Sequence, residues 1–321
     1  MGKISIIIPV FNEIDNIADC YVDLKANVLD KLDDYELIFV DDGSEDSTYE
    51  ECKKVACVDV NVRVLKLSRN FGSLAACYAG FTACVGDCCV VKSADMQEPS
   101  SLILDMYYSW KQGNRVVLAA REDREEGLSQ KFFANFYYWL VRRFISMKMP
   151  EQGFDIYLLD RKVIEAIKLL DERNSSIVLQ ILWSGFKTDI VKYTRLARER
   201  GASKWTLSRK LRLVFDSFMN FSTVPVRIIE IVGLLFSSVA VVWAIALIVA
   251  RLTTGDAPQG FTAMMVLLLF SLGLIMLILG ILGEYLWRIL DVAQNRPVCF
   301  IEEEFDGINV ELPKEQGEAL N

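Results

Sequence analysis

The 321-residue chain contains no histidine. That absence removes Ser-His-Asp and Cys-His nucleophilic catalysis, imidazole acid–base chemistry and histidine-ligated zinc. Whatever titrates near neutrality must be a carboxylate, a perturbed lysine or cysteine, or the substrate itself. No G-x-G-x-x-G follows the first apolar run and no Walker A lysine loop occurs, so neither a dinucleotide-dependent dehydrogenase nor a P-loop ATPase is expected. The first ten residues lack a basic stretch followed by a long apolar run. A secretory signal is therefore not expected, and the amino-terminal part is expected to stay in the cytoplasm. Zinc-like cysteine spacing is also missing. Seven of the eight cysteines fall between Cys20 and Cys89, Cys88 and Cys89 are adjacent, and no pair of C-x-x-C motifs exists. They read as small buried hydrophobes in a reducing compartment.

What is present in excess is apolar residues, 52% of the chain, with a positive mean hydropathy. The excess is concentrated after residue 227, which points to membrane spans and not to a richer core. Before that point, apolar β-prone runs alternate with helical patterns: 3–10, 35–40, 62–67, the apolar start of the stretch 88–99, and 115–120 as strands, with helices between them. That spacing predicts an α/β fold of βαβ units with right-handed crossovers and a mostly parallel sheet. The polar clusters Phe11-Asn12-Glu13, Asp41-Asp42, Ser68-Arg69-Asn70, Asp95-Gln97 and Arg121 all fall at strand carboxyl ends. They are expected to line one edge of one sheet, where open α/β sheets bind ligands.

The chain is organised around Cys88 to Pro99, a buried strand running out into Lys92-Ser93-Ala94-Asp95-Met96-Gln97-Glu98-Pro99. A carboxylate and an amide oxygen two residues apart suit a hard divalent cation such as Mg²⁺ or Mn²⁺. The alternative is that Asp95 caps a helix starting near Pro99. Asp160 reads as the N-cap of a helix over 161–170. The aromatic, basic helix over 128–147 suits either a membrane contact or a packed core.

Between Lys192 and Arg212 the chain carries eight basic residues and one acidic one, although the whole protein is net −8. A basic amphipathic helix over 205–221 suits an anionic bilayer surface, and nucleic acid is not the expected partner. Ile231–Ala250 and Ala263–Gly283 are charge-free runs of 20 and 21 residues, each long enough to span the ~30 Å hydrocarbon core as a helix. Basic residues flank the pair on its outer sides, so both ends are expected in the cytoplasm. Residues beyond 301 are acidic and apolar-poor, and a mobile tail is expected there. The expected organisation is a catalytic domain over 1–200, a basic juxtamembrane segment over 201–227, a two-helix transmembrane hairpin over 228–287 and a cytoplasmic tail over 288–321. Gly273, Gly280 and Gly283 would allow close helix packing in a homo-oligomer.

Four motifs in order, Pro9-Val10-Phe11-Asn12-Glu13, Val40-Asp41-Asp42-Gly43-Ser44, Ser93 to Pro99, and Asp155-Ile156-Tyr157-Leu158-Leu159-Asp160-Arg161, resemble the family 2 inverting glycosyltransferases of GT-A fold. With the two carboxy-terminal spans, the chain is similar to the polyprenyl-phosphate members, such as bactoprenol glucosyltransferases and dolichol-phosphate-mannose-synthase-like enzymes. The resemblance implies a nucleotide-sugar donor, with UDP as the nucleotide, and a polyprenyl-phosphate acceptor. It implies a multi-pass protein of the cell's inner membrane with a cytoplasmic catalytic domain. It assigns Pro9, Phe11, Glu13, Asp41, Asp42, Asn70 and Ser93 to the nucleotide-sugar, and Asp95 and Gln97 to Mg²⁺ or Mn²⁺. Asp155 takes the catalytic position. Arg121, Lys131, Arg198, Arg200 and Lys204 are assigned to the acceptor phosphate.

Three departures stand against the family pattern. Ser93 occupies the position of the first aspartate of D-x-D, Glu98 replaces an aspartate, and Tyr157 stands where arginine is common. The missing aspartate leaves room for a catalytically inactive, membrane-tethered nucleotide-sugar-binding protein. A processive polysaccharide synthase is the other rival, but it needs a longer channel-forming region and a Gln-x-x-Arg-Trp motif. Gln180-Ile181-Leu182-Trp183 lacks the arginine.

Overall fold

The run Ile4–Val10 is apolar at nearly every position, and such a run is stable only where both faces of a strand are covered. It becomes β1, the centre of the sheet, with Ile4, Ile6, Ile7 and Ile8 all fully buried. The computed structural model describes residues 2–122, 128–146, 149–170, 175–194, 207–254, 260–294 and 296–307. The remaining sheet strands are β2 (Tyr35–Asp41), β3 (Val62–Leu67), β4 (Cys88–Val91), β5 (Val116–Arg121), β6 (Phe154–Asp160), β7 (Thr188–Tyr193) and β8 (Ile301–Asp306). They form one eight-stranded sheet in the order β7-β5-β6-β4-β1-β2-β3-β8. Strands β1 to β4 run parallel to one another, as do β5 and β7, whereas β6 and β8 are antiparallel to their neighbours. The fold is thus α/β with a mostly parallel sheet.

Helices α1 (Ile14–Asn27), α2 (Thr48–Val58), α3 (Ser73–Ala83) and α4 (Leu102–Lys111) make the crossovers between the first five strands. Ile17, Cys20 and Leu24 of α1 and Cys52, Val55 and Ala56 of α2 join one apolar layer against β1, β2, β3 and β4. Each fully buried Ile or Phe there contributes about 1.5–3 kcal/mol of transfer free energy. After α5 (Leu128–Phe144) and β6 come α6 (Arg161–Lys168) and α7 (Ile177–Trp183). Asp160 caps α6, its carboxylate accepting the Lys162 backbone N–H at 3.1 Å, and it also accepts from Trp110 at 2.9 Å and Arg115 at 2.7 Å. Six of the cysteines are buried, whereas Cys57 is exposed and Cys299 half-buried. Burial pushes the Cys20 thiol up to about 11, the behaviour of a packed hydrophobe and not of a nucleophile.

Where a mobile tail is expected beyond residue 301, the structure corrects the first part, since residues 301–306 are β8; residues 308–321 lie outside the described ones. An acidic strand is held here because its partner is basic. Arg63 and Lys66 of β3 form ion pairs with Glu304 and Glu302, and Phe305 lies under the Lys53 ammonium.

The chain divides into two compact units, 1–213 with 297–321, and 214–296. The second contains the carboxyl half of α8 (Leu207–Phe221) with α9 (Val224–Thr254) and α10 (Phe261–Ala293). Within it, Arg288 binds Asp216 and Asn220 at 2.7 Å each and Glu284 at 2.9 Å, and Phe236 packs on Phe270. Val224–Ala246 and Met264–Ala293 are long and apolar enough to cross a membrane.

Candidate active site at the carboxyl edge of the sheet

A strand that ends abruptly in polar residues must satisfy them at its tip, and here the tips satisfy one another. After β1, the Asn12 backbone N–H donates to Ser44 Oγ at 3.0 Å and Asn12 Oδ1 accepts the Glu45 N–H at 2.9 Å. The Glu13 N–H donates to Thr48 Oγ1 at 2.9 Å. Asn12 sits in the left-handed region (φ 50), which asparagine tolerates well. Pro9, Phe11 and Glu13 are each partly exposed along this clasp.

The two aspartates at the end of β2 are each engaged by their own chain. Asp41 is fully buried and accepts the Ser44 N–H at 3.2 Å together with the Ser44 hydroxyl. Asp42 accepts the backbone N–H groups of Phe71 at 2.7 Å and Gly72 at 2.9 Å, and so fastens the loop after β3. Burial raises both carboxyls above the ordinary aspartate range, against the pull of these donors. Gly43 makes the close approach of the two loops feasible. Its φ is +68°, and a Cβ there would lie 2.4 Å from the Arg69 carbonyl carbon. On the far side, Ser68, Arg69 and Asn70 are exposed, and the Arg69 guanidinium stacks over Phe71 at 4.1 Å.

The loop after β4 does not cap α4. Helix α4 begins at Leu102 behind Ser101, and Asp95 stands apart from it. Instead, Ser93 Oγ lies within hydrogen-bond reach of Asp95 Oδ1 and of Glu98 Oε2, at 3.0 Å from the latter. Met96, between Asp95 and Gln97, is forced to φ 52. A methionine gains nothing from the left-handed region, so this strained residue marks a turn whose shape is imposed by its surroundings. Asp95 and Gln97 are both partly exposed there. Among the described residues no three His, Cys, Asp or Glu side chains converge into a ready-made metal cage. A carboxylate and an amide oxygen on an exposed turn nevertheless fit a hard dication that draws its other ligands from phosphate oxygens and water, the usual Mg²⁺ arrangement.

The second half of the site comes from β5, β6 and β7. Strand β6 is antiparallel, so its beginning, not its end, reaches the carboxyl edge. That places Asp155 beside Arg121, the last residue of β5. Arg121 Nε and Nη2 both donate to the Asp155 carboxylate, the latter at 2.7 Å. Tyr193, the last residue of β7, donates its phenolic hydroxyl to Asp155 Oδ2 at 2.8 Å. Burial opposes the Arg121 charge, but the Asp155 fork outweighs it and raises the guanidinium's pKa. Burial and then the Asp155 charge raise the Tyr193 phenol. The Asp155 charge also bears on Glu98, whose carboxyl is raised by burial first and Asp95 next. The Asp95 loop and the Arg121–Asp155–Tyr193 cluster therefore share one electrostatic neighbourhood. Just before β6, Gly153 (φ +72) leaves room for Tyr138, whose ring carbon a Cβ would meet at 2.3 Å. Tyr157 points away from the edge, buried with its hydroxyl on Cys77 Sγ at 3.6 Å.

Of the residues singled out in the sequence, the structure thus brings Asp155 and Arg121 into direct contact and places Pro9 and Asp41 at strand ends, and Phe11, Glu13, Asp42, Asn70, Ser93, Asp95 and Gln97 on the loops, of the same edge. Lys131 lies in α5, with its side chain outside the described residues, and Arg198, Arg200 and Lys204 lie outside them altogether. Tyr193 was missed. It closes an ordinary-looking strand, and its only signal is its place at that strand's carboxyl end.

The sequence pattern of Glycosyl transferase family 2 matches residues 5–164. The chain is 34% identical over 313 residues to "Uncharacterized glycosyltransferase YkcC" of Bacillus subtilis (strain 168), covering 97% of each chain. It is 33% identical over 306 residues to "SfII prophage-derived bactoprenol glucosyl transferase" of Shigella flexneri, covering 95% of this chain and 99% of the other. Among solved structures, "Mannosyltransferase PcManGT from Pyrobaculum calidifontis in complex with GDP-Man and Mn2+" is similar over 62% of this chain and 58% of that one, with 15% identity and a TM-score of 0.47. The matching pattern and the near-full-length likeness settle the assignment: the chain belongs to the family 2 glycosyltransferases.

Proposed function

We propose that this glycosyltransferase moves a sugar from a nucleotide-sugar, with a UDP-sugar as the donor, to a polyprenyl phosphate at the cytoplasmic face of a membrane. The observation that carries the reading is the 33% likeness over 95% of the chain to a protein named bactoprenol glucosyl transferase, a span that takes in both membrane-length helices. The domain order that fits is a catalytic unit over 1–200, a basic segment over 201–227, a transmembrane hairpin over 228–287 and a carboxy-terminal segment over 288–321.

The nucleoside is assigned to the clasped tips of β1 and β2 (Pro9, Phe11, Glu13, Asp41, Asp42), with Asn70 and Ser93 beside it. Asp95 and Gln97 are the residues that would hold Mg²⁺ or Mn²⁺, which supplies charge neutralisation of the departing diphosphate. The acceptor needs little activation, because a phosphate monoester with a second pKa near 6 is largely dianionic at neutral pH. Asp155 is accordingly assigned to orienting the acceptor, not to serving as its sole proton acceptor. Its carboxylate already accepts from the Arg121 fork and the Tyr193 hydroxyl, so its oxygens are engaged before the acceptor arrives. Arg121 has the planar fork that binds a carboxylate and a phosphate equally well. An arriving phosphate would compete with Asp155 for that fork and free a carboxylate oxygen as it binds. Lys131, Arg198, Arg200 and Lys204 are assigned to the same phosphate. In-line attack inverts the anomeric centre, and the protein contributes positioning and charge.

The test is a screen of radiolabelled nucleotide-sugars against membranes containing the protein and polyprenyl phosphate, followed by extraction into organic solvent. Label in the organic phase that depends on both the protein and the added lipid supports the proposal. Label released only as free sugar contradicts it.

A further inference from the structure

The loop after β4 carries a charge that the reaction as proposed does not use. Lys92 directly follows the strand and is 1% exposed. An ammonium has three donors and is rarely buried without partners. Here its one hydrogen bond among the described residues goes to the neutral Ser93 carbonyl, at 3.2 Å. The alternation of β4 explains where it points. Cys88 and Val90 face the apolar layer that holds Cys20 of α1, and Lys92 is next in that series. The charges of Lys92, Asp23, Asp95 and Glu98 all bear on the Cys20 thiol, and that of Lys92 bears on Glu98. Ser93, whose hydroxyl reaches both Asp95 and Glu98, ties the two carboxylates to the residue whose carbonyl holds the ammonium.

The loop therefore contains two carboxylates and one buried cation. We propose that Lys92 is a positioning residue for the divalent cation: its ammonium offsets the charge of Glu98, so that the loop offers the metal a single net negative charge, and this balance sets the cation affinity. The inference rests on the reading of Asp95 and Gln97 as the cation's ligands. A unit charge roughly 8 Å from a dication, even with the screening of bulk water, corresponds to on the order of ten-fold in affinity.

The experiment is a Mn²⁺ titration of the purified full chain with UDP present, with free Mn²⁺ read by electron paramagnetic resonance. Circular dichroism confirms that each variant is folded. Lys92→Met is expected to bind Mn²⁺ about ten-fold more tightly, Glu98→Gln about ten-fold more weakly, and the double variant close to the parent. Opposite signs that cancel are a signature of charge, which a merely structural role would not give. Should Lys92→Met fail to fold, Lys92→Arg, which keeps the charge, is expected to match the parent, and Glu98→Gln still to weaken binding. A folded Lys92→Met with unchanged or weaker affinity overturns the inference, as does a Glu98→Gln that binds normally. Asp95→Asn separates the two layers. Full Mn²⁺ affinity in that variant overturns the ligand reading itself. Its loss, beside an indifferent Lys92→Met, overturns only the role of Lys92.

Discussion

Removing the charge of Asp155 should do two opposite things to the reaction. The Asp155–Arg121 contact is a two-point fork between a guanidinium whose side chain is 9% exposed and a carboxylate that is 32% exposed. Charge-assisted hydrogen bonds contribute about 1.5–3 kcal/mol each when buried, and partial exposure reduces the advantage of carboxylate over amide at this position to about 1–2 kcal/mol. In Asp155→Asn the amide oxygen still accepts from Arg121, but the ion pair is gone and Arg121 is released to the acceptor phosphate. The acceptor KM should then fall by about ten-fold, because roughly 1.4 kcal/mol of competition is removed. The same change removes the group that orients the acceptor, so kcat should fall by about 10²-fold or more, within the range typical for a positioned polar group. The donor KM should stay within about two-fold. The assay is steady-state transfer of labelled sugar with donor and acceptor varied separately. A raised acceptor KM with unchanged kcat would refute the reasoning, since it would mean that Asp155 itself binds the acceptor while Arg121 does not.

Tyr193→Phe deletes one neutral donor to Asp155 and should lower kcat/KM by about five- to ten-fold, the equivalent of about 1 kcal/mol, with no loss of thermal stability beyond that amount. Gly43→Ala should destabilise the protein by about 2–4 kcal/mol, as the new Cβ meets the Arg69 backbone at 2.4 Å in a left-handed conformation; urea denaturation followed by fluorescence measures it. Burial works to raise the Asp160 carboxyl, but hydrogen bonds from Trp110, the Lys162 N–H and Arg115 outweigh it and hold it below its ordinary 3.8. A depressed acid contributes stability above that value and loses it as the pH falls through the folded-state pKa. Asp160→Asn should therefore melt several degrees below the parent at pH 7, with the gap narrowing once the pH drops below about 4. A gap that persists undiminished at about pH 2.5 would contradict the assignment.

The parallel half of the sheet was readable because its strands are buried on both faces. Ile4–Val10 and Cys88–Val91 are apolar almost throughout until they end, and the ends announce the loops that carry the site. Direction was not readable for β6. The run from Phe154 to Leu159 is mostly apolar whichever way it lies, and only the register against β4 and β5 shows that its first residues, not its last, reach the edge. The motif comparison singled out Arg121 and Asp155 separately. Their pairing across 34 residues follows from that reversal. Strand β8 was hidden because Ile301-Glu302-Glu303-Glu304 looks like a solvated acidic stretch until Arg63 and Lys66, far back in the chain, are set beside it. Lys92 was passed over for a related reason. One lysine beside a serine gives no warning that it is enclosed, and its burial comes from the parity of β4 and the position of α1.

The most direct test of the central claim, that one sheet edge joins a nucleotide-sugar to a lipid phosphate, is mass spectrometry of the lipid product. Purified protein in vesicles containing polyprenyl phosphate would be given Mg²⁺ and the donor found in the screen, with Asp95→Ala run in parallel. The expected result is a polyprenyl-phosphate-linked sugar from the parent and a loss of about 10²-fold or more in Asp95→Ala. A parent that makes no lipid-linked sugar with any nucleotide-sugar, or an Asp95→Ala variant that makes as much as the parent, would contradict the account.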